Sequence, residues 1–121
     1  MKQMFLSVVL LASLDKATLF VEHPQVAFKA PAVFGKPATP TPEGVYLLTR
    51  GYSKQLGMKL LIFRREDGMV WAIHPNLKSR TKQIKSETST DNYLSAGCIG
   101  VEDEVFDKLW GIKQQMVLQV Y

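Results

Sequence analysis

The single cysteine of this 121-residue sequence is the residue best suited to nucleophilic chemistry. Cys98 lies in the stretch Ser95-Ala96-Gly97-Cys98-Ile99, and a thiol attacks a carbonyl only when it ionises and when its approach is open. Gly97 leaves space for a substrate backbone, and the N–H groups of such a turn could stabilise an oxyanion. Because buried cysteines that only pack are common, the stretch alone leaves a reactive thiol and a packing thiol equally open.

His74 is the candidate base for this thiol. It ends the run Val70-Trp71-Ala72-Ile73-His74, at a strand end where a side chain can leave the core. A histidine in that place is usually structural or solvent-facing. It lies 24 residues before Cys98, and the polar segment between them would allow the imidazole to reach the thiol and take its proton. The other histidine, His23, precedes Pro24 and is expected to be a turn residue.

Other polar residues do not form a second site. One cysteine and two separated histidines have no recognisable metal-ligand spacing, and Gly35–Gly44 lacks the pattern of a phosphate-binding loop. We therefore predict neither a metal nor a cofactor. Four acidic residues are interpreted as the first turn and solvated face of a helix: Glu102, Asp103, Glu104 and Asp107.

The elements that must position Cys98 and His74 are mostly β-strands. Asp-Gly in Glu66-Asp67-Gly68 predicts a hairpin turn, since both turn positions must accept positive φ. Asp103–Trp110 has apolar residues at helical spacing, with Gly111 just past its end. About seven strands and one helix predict a β-sandwich or barrel. Eight runs are strand-like, of which the first overlaps a possible signal peptide: Met4–Leu14, Ala17–Val21, Val26–Phe34, Val45–Thr49, Met58–Arg65, Met69–His74, Tyr93–Val101 and Val117–Tyr121.

Two segments are expected to be loops. Gly35–Gly44 holds three of the six prolines, so it should be an extended and stiff loop. Leu77–Asn92 is polar and carries Lys78, Arg80, Lys82 and Lys85. We expect it to be a long exposed loop or a short frayed helix, with the hypothesis that it acts as a lid or as an acceptor-side wall.

Length and composition predict one domain over residues 1–121. A net charge of +4 is compatible with an ordinary lysine-rich surface or with an anionic partner, and no nucleic-acid motif occurs. Residues 1–12 fit either a signal peptide or a buried first strand, and their apolar core is too short to span a bilayer as a helix.

Four motifs occur in an order that resembles a known family. They are Val33-Phe34-Gly35-Lys36, then Thr39-Pro40-Thr41-Pro42-Glu43-Gly44-Val45-Tyr46, then Ala72-Ile73-His74, and finally Ser95-Ala96-Gly97-Cys98-Ile99. Together they resemble the L,D-transpeptidase catalytic domain of the YkuD type, over roughly Ala12 to Trp110. Each motif is weak alone, whereas four in this order are fairly specific.

The resemblance implies a mostly β, sandwich- or barrel-like fold with one short helix after the cysteine strand, and a cysteine acyl-enzyme. It makes Cys98 the nucleophile and His74 the base. The implied donor is a peptidoglycan tetrapeptide stem, and the acceptor is an amine, a free D-amino acid or water. The implied place of action is the periplasm or cell envelope. The other implied site residues are Ser95, Ala96 and Gly97 for the nucleophile strand and oxyanion site, and Thr39, Thr41, Gly44, Tyr46 and Arg80 for substrate binding.

Two departures from the family pattern keep alternatives open. Gly100 stands where the family has arginine, so Lys78, Arg80 or Lys82 would have to replace its charge, and Pro75 follows His74 in place of glycine. Compact wall-targeting toxins resemble this variant, which would imply an immunity protein as partner. A non-catalytic binding module of wall peptides is the alternative from another class. Two rival enzyme classes fit this sequence less well. Papain-type enzymes have the reverse order of cysteine and histidine, and sortases expect an arginine after the cysteine, which this sequence does not have.

Overall fold

The computed structural model describes residues 7–23, 27–34, 41–54, 57–75 and 98–121. Eight strands and one helix lie within these ranges, and no helix among them is long and apolar enough to cross a membrane. The elements are β1 Val8–Ser13, β2 Thr18–Glu22, β3 Phe28–Val33, β4 Gly44–Ser53, β5 Met58–Arg64, β6 Val70–His74, β7 Ile99–Val101, α1 Asp103–Trp110 and β8 Met116–Val120.

The strands close into a barrel in the order β1-β2-β3-β7-β6-β5-β4-β8. Two pairs are parallel, β1 with β8 and β6 with β7, and the other six pairs are antiparallel. This confirms the predicted mostly β fold with one short helix after the cysteine strand. Closure leaves every described strand with two hydrogen-bonded neighbours, so the sheet has no free edge.

The interior is filled by every second residue of each strand, as the two-residue period of strand side chains requires. Phe63 is fully buried and contacts two other rings, with ring centroids 5.0 Å from Tyr46 and 6.1 Å from Trp71. Aliphatic side chains from the other strands complete the core. Those with no exposed surface include Val8, Leu10, Leu19, Leu61, Ile73, Ile99 and Leu118.

Helix α1 has the predicted bounds, Asp103–Trp110, and packs Phe106 and Leu109 into the core. Lys108 lies 5.1 Å from the ring of Phe28 on β3, whereas Arg50 on β4 donates to the carbonyl of Trp110 at 2.9 Å. The helix therefore spans the barrel opening between these two strands. The residue past its end, Gly111, has φ of −76°, so the helix stops there without a left-handed residue.

The predicted hairpin joins β5 to β6. Arg65 and Met69 are joined by a backbone hydrogen bond of 2.9 Å, and Gly68 has φ of +89°. The Asp67 carboxylate accepts the Met69 N–H at 3.1 Å and pairs with Arg65 at 2.7 Å. Elsewhere the bounds differ: β4 runs on to Ser53 because its second half, Thr49–Ser53, pairs with Met58–Ile62 of β5.

Candidate active site

Cys98 and His74 lie on neighbouring parallel strands. The register pairs Ile73 with Ile99 and His74 with Gly100, so Cys98, one residue before β7, is level with Ala72. We predicted that Cys98 lies within a strand, whereas β7 begins one residue later. A strand spacing of about 4.8 Å and a two-residue offset of about 6.6 Å put the two Cα atoms about 8 Å apart. A cysteine and a histidine side chain together can span that diagonal.

The two residues also share one face of the sheet. Ile73 and Ile99 are fully buried in the barrel interior. Side chains alternate along strands, so Ala72 and His74 on β6 and Cys98 before β7 turn to the outer face. Both candidate catalytic side chains are nevertheless buried, with 3% of His74 and 6% of Cys98 exposed. The pair therefore lies in a sheltered place on the outside of the barrel, where electrostatic interactions are weakly screened.

Burial raises the pKa of the Cys98 thiol above its ordinary value of 9.0. A hydrogen bond with the backbone of Ala72 lowers this pKa, but its effect is smaller than that of burial. The thiol is therefore protonated at neutral pH. A group that removes its proton is needed before it can act as a nucleophile.

The His74 ring is oriented by the next residue. Its Nδ1 lies 2.9 Å from the carbonyl oxygen of Pro75. Because a carbonyl only accepts hydrogen bonds, this contact assigns the proton of the neutral imidazole to Nδ1. Nε2 is then the basic nitrogen. The polar atoms that orient both groups, the Ala72 backbone and the Pro75 carbonyl, were not predicted, because backbone contacts of this kind have no signature in residue types.

Gly100 is the register partner of His74 on β7, and it is buried. On the opposite side, the pairing of Leu61 with Ile73 puts Leu60 level with His74 on β5. The position at which the family pattern has arginine is thus directly beside the candidate base. In this chain both strand neighbours of His74 are uncharged.

Gly44 and Tyr46, predicted to bind substrate, pack together at the start of β4, and Thr41, also predicted to bind substrate, is a buried residue shortly before that strand. The Tyr46 hydroxyl lies 3.0 Å from the carbonyl of Pro42 and 3.1 Å from that of Glu43, and it donates to this pair of acceptors. A Cβ on Gly44, which has φ of +149°, would lie 3.0 Å from the same hydroxyl. Thr41 is 1% exposed.

Tyr46 faces the barrel interior, 6% exposed, and β5 and β6 separate its strand from β7. Burial raises the pKa of its hydroxyl above 10.0. The structure thus brings Cys98 and His74 together but does not bring Tyr46 to them. A role of Tyr46 in substrate binding stays a prediction, and the contacts described here make it a support of the preceding segment.

Five predicted site residues lie outside the described ranges: Thr39, Arg80, Ser95, Ala96 and Gly97. The segment Leu77–Asn92, hypothesised to be a lid, also lies outside them. Within the ranges that are described, no group of three or more His, Cys, Asp or Glu side chains is arranged to hold a metal ion.

With this geometry in view, comparison with known proteins identifies the family. The profile of the YkuD family, described as the L,D-transpeptidase catalytic domain, matches residues 7–115, which include both Cys98 and His74. The chain belongs to this family. No curated protein sequence matches it at the level required for a relative.

Solved structures share the fold at low sequence identity. An L,D-transpeptidase from Mycobacterium smegmatis is 20% identical with a TM-score of 0.62, and 95% of this chain covers 58% of that chain. One from Mycobacterium tuberculosis H37Rv is 22% identical with a TM-score of 0.62, and the match covers 95% of this chain and 57% of that chain. An L,D-transpeptidase solved in complex with imipenem is 18% identical with a TM-score of 0.62, at 95% and 59% coverage. The chain spans less than two thirds of the length of these structures.

Proposed function

We propose that this chain is a cysteine-dependent L,D-transpeptidase that acts on peptidoglycan tetrapeptide stems in the cell envelope. The observation that carries the proposal is the diagonal placement of Cys98 and His74 on neighbouring parallel strands, in a chain that belongs to the L,D-transpeptidase family. The hydrogen bond of His74 Nδ1 with Pro75 supports the same roles, because it leaves Nε2 to act as the base.

In the acylation step, His74 Nε2 takes the Cys98 proton and the thiolate attacks the carbonyl of the third stem residue. A carbon–sulfur bond forms, and the tetrahedral intermediate collapses with cleavage of the bond to the terminal D-residue. The imidazolium returns its proton to the leaving amine. The products of this half-reaction are a thioester on Cys98 and a free D-amino acid.

In the second step, an acceptor attacks the thioester carbonyl while His74 takes its proton. The carbon–sulfur bond breaks and the thiolate recovers the proton. An amine of a second stem gives a cross-link, a free D-amino acid gives exchange, and water gives a trimmed tripeptide. Because the thioester is common to all three, the acceptor decides the outcome only after acylation.

A non-catalytic module that binds wall peptides is the second candidate. Gly100 beside His74 and the raised pKa of Cys98 favour it, since neither feature assists thiolate formation. This candidate predicts stem-peptide binding with no change in the peptide.

Mass spectrometry of tetrapeptide muropeptides after incubation with the protein separates the two candidates. We expect loss of the terminal D-residue or new cross-links with the wild type and none with Cys98→Ala. His74→Gln should slow the reaction by about 10²–10⁴-fold, the usual contribution of a positioned general base. Binding without turnover in the wild type would reject the enzyme activity and support the binding module.

A β-lactam probe tests the nucleophile independently of the natural substrate. Because imipenem was found in complex with one structurally similar L,D-transpeptidase, we expect it to acylate Cys98 here. The intact-protein mass should increase by one imipenem in the wild type and in Arg64→Ala, a surface control, but not in Cys98→Ala. Labelling of Cys98→Ala would refute the assignment of the nucleophile.

A further inference from the structure

A groove of about 440 Å³ lies on the outer surface of the barrel, beyond the residues discussed so far. Its walls come from β2, β3 and the turn before β2. They contain two lysines, one aromatic ring and no acidic side chain. The lining residues are Lys16, Thr18, Phe20, Lys29, Ala30 and Pro31.

Strand pairing fixes the relative positions of these residues. Thr18 is level with Pro31, and Phe20 is level with Lys29. Each of these four side chains is exposed or half-buried, as expected for the outer face of a closed barrel. Among the described residues, neither lysine has a carboxylate within ion-pair distance. The groove thus presents two ammonium groups beside an apolar ring.

The turn that carries Lys16 is held by its own hydrogen bonds. The Lys16 N–H donates to Ser13 Oγ at 3.3 Å, and the Lys16 carbonyl accepts from the Thr18 hydroxyl at 2.8 Å. Ala17 has φ of +49°, in the left-handed region that costs an alanine free energy. Its carbonyl accepts the N–H of Ala32 at 3.0 Å, which ties the turn to β3. Lys16 is therefore presented on a fixed backbone.

The same contact brings the groove close to the candidate catalytic pair. Because Ala17 bonds to Ala32, Lys16 lies near the level of Val33, which pairs with Gly100. Two strand spacings, about 10 Å, separate Lys16 from Gly100 along the outer surface. Gly100 is in turn the neighbour of His74. A ligand that leaves the groove at Lys16 and crosses β3 would therefore reach Gly100, beside His74.

We propose that the Lys16–Lys29 groove binds carboxylate groups of the peptidoglycan strand that is processed at Cys98. Lysine ammonium groups bind carboxylates through charge-assisted hydrogen bonds, and Phe20 offers an apolar surface for the backbone of the ligand. Lys16 supplies positive charge near a site where Gly100 supplies none. This inference rests on the proposed function for the identity of its ligand.

Binding of a muropeptide with free stem carboxylates tests the proposal, measured by calorimetry in the Cys98→Ala background so that no turnover occurs. The double variant Lys16→Glu/Lys29→Glu should weaken binding about tenfold or more, which corresponds to about 1.4 kcal/mol. Binding by the unmodified groove should also weaken as salt rises, because exposed charges are screened.

Two matched controls make the test specific. Lys54→Glu/Lys113→Glu makes the same change in charge at two exposed lysines outside the groove, one after β4 and one before β8, and should leave the affinity unchanged. A muropeptide whose stem carboxylates are amidated should bind weakly to all proteins, with no dependence on Lys16 or Lys29. Equal losses in both double variants, or an undiminished affinity for the amidated ligand, would overturn the proposal.

A second pair of variants guards against misfolding. If the glutamate variant does not fold by circular dichroism, Lys16→Met/Lys29→Met keeps the length of the side chains and should still weaken binding several-fold. The muropeptide turnover assay on proteins with Cys98 gives a separate result. Binding that depends on the lysines, without turnover, would reject the proposed enzyme activity and support the groove. Turnover and affinity that are both unchanged in the lysine variants would support the enzyme activity and reject the groove.

Discussion

Burial of Cys98 opposes its reactivity as a nucleophile. Removal from water raises the pKa of the thiol, which keeps it protonated, yet only the thiolate attacks a carbonyl. In the proposed mechanism, His74 takes the thiol proton as the substrate arrives. The thiolate and the imidazolium then form together, and in a buried site these opposite charges stabilise each other. In the proposed mechanism, the hydrogen bond from Nδ1 to the Pro75 carbonyl prepares the ring for that transfer, because it leaves Nε2 to act as the base.

The raised pKa of Cys98 predicts a loss of stability in alkaline solution. Well below pH 9.0, the ordinary pKa of the thiol, Cys98 is neutral in both the folded and the unfolded chain. Above that pH the unfolded chain ionises first, so the free energy of unfolding falls until the folded thiol also ionises. Urea denaturation between pH 7 and 11 should show this fall in the wild type.

Cys98→Ala is the control for this pH dependence. The Tyr46 hydroxyl, whose pKa is also raised, acts in the same direction and is present in both proteins. The difference between the wild type and Cys98→Ala therefore isolates the thiol. Parallel curves for the two proteins across this range would contradict a raised pKa at Cys98.

Tyr46 and Gly44 should be energetically coupled. Tyr46→Phe removes the donor to two backbone carbonyls and should cost about 1 kcal/mol. Gly44→Ala puts a Cβ 3.0 Å from that hydroxyl and forces an alanine to φ of +149°, so it should cost more. In the double variant the contact with the hydroxyl is gone and the contact with the ring carbon Cζ, at 3.1 Å, remains, so the two single costs should sum to more than the measured loss. Strict additivity in urea denaturation would argue against their contact.

Among the elements, α1 depends on β4 for its C-terminal end. The Arg50 guanidinium donates to the carbonyls of Trp110 and Ile112, and it also lies 5.5 Å from the centroid of the Trp110 ring. Carbonyls in the last turn of a helix lack partners within the helix, so a cation there satisfies them and interacts favourably with the helix dipole. One side chain thus fixes the helix across the end of the barrel.

Arg50→Met should lower the free energy of unfolding by about 1–2 kcal/mol, because it removes charge-assisted hydrogen bonds and keeps the aliphatic stem. Lys59→Met is the matched control. The Lys59 ammonium group lies 5.2 Å from the centroid of the same Trp110 ring, and its loss should cost about 0.5–1 kcal/mol. An Arg50→Met protein as stable as the wild type would show that the helix end does not need this contact.

The whole molecule is held closed by β8, which pairs with β1 on one side and with β4 on the other. Leu118, at the centre of β8, is fully buried. Loss of β8 would open the barrel and leave the facing edges of β1 and β4 unpaired. Unfolding should therefore be cooperative, with no stable open form.

Leu118→Ala should cost about 2–5 kcal/mol, because it leaves a cavity in the interior of the barrel. Gln119→Ala, on the exposed face of the same strand, should change stability by no more than about 0.5 kcal/mol.

Cooperative unfolding can be followed by the fluorescence of two tryptophans, Trp71 in the core and Trp110 at the end of α1. Fluorescence of Trp71→Phe and Trp110→Phe proteins should report one urea transition in each, and midpoints that differ by more than their mutational effects would reveal a partly open state.

The sequence by itself determined the features that depend on near neighbours. The turn chemistry of Asp67-Gly68 predicted the β5–β6 hairpin, and helical spacing with acidic residues in the first turn predicted α1 with its observed bounds. Both are decided by contacts within a few residues. The ordered motifs around His74 and Cys98 also predicted the family and the barrel-like fold, since those motifs combine turns and residue types that sequence displays directly.

Only the tertiary structure decided which distant residues meet. The parallel pairing of β6 with β7 puts Cys98 and His74 on one diagonal and Gly100 beside His74, and the bond from Ala32 to Ala17 brings Lys16 toward them. The inward position of Tyr46 also follows from the packing of its ring against Phe63. The physical reason is that strand register results from many weak contacts summed around the closed barrel, and a shift by one residue would turn each side chain to the other face.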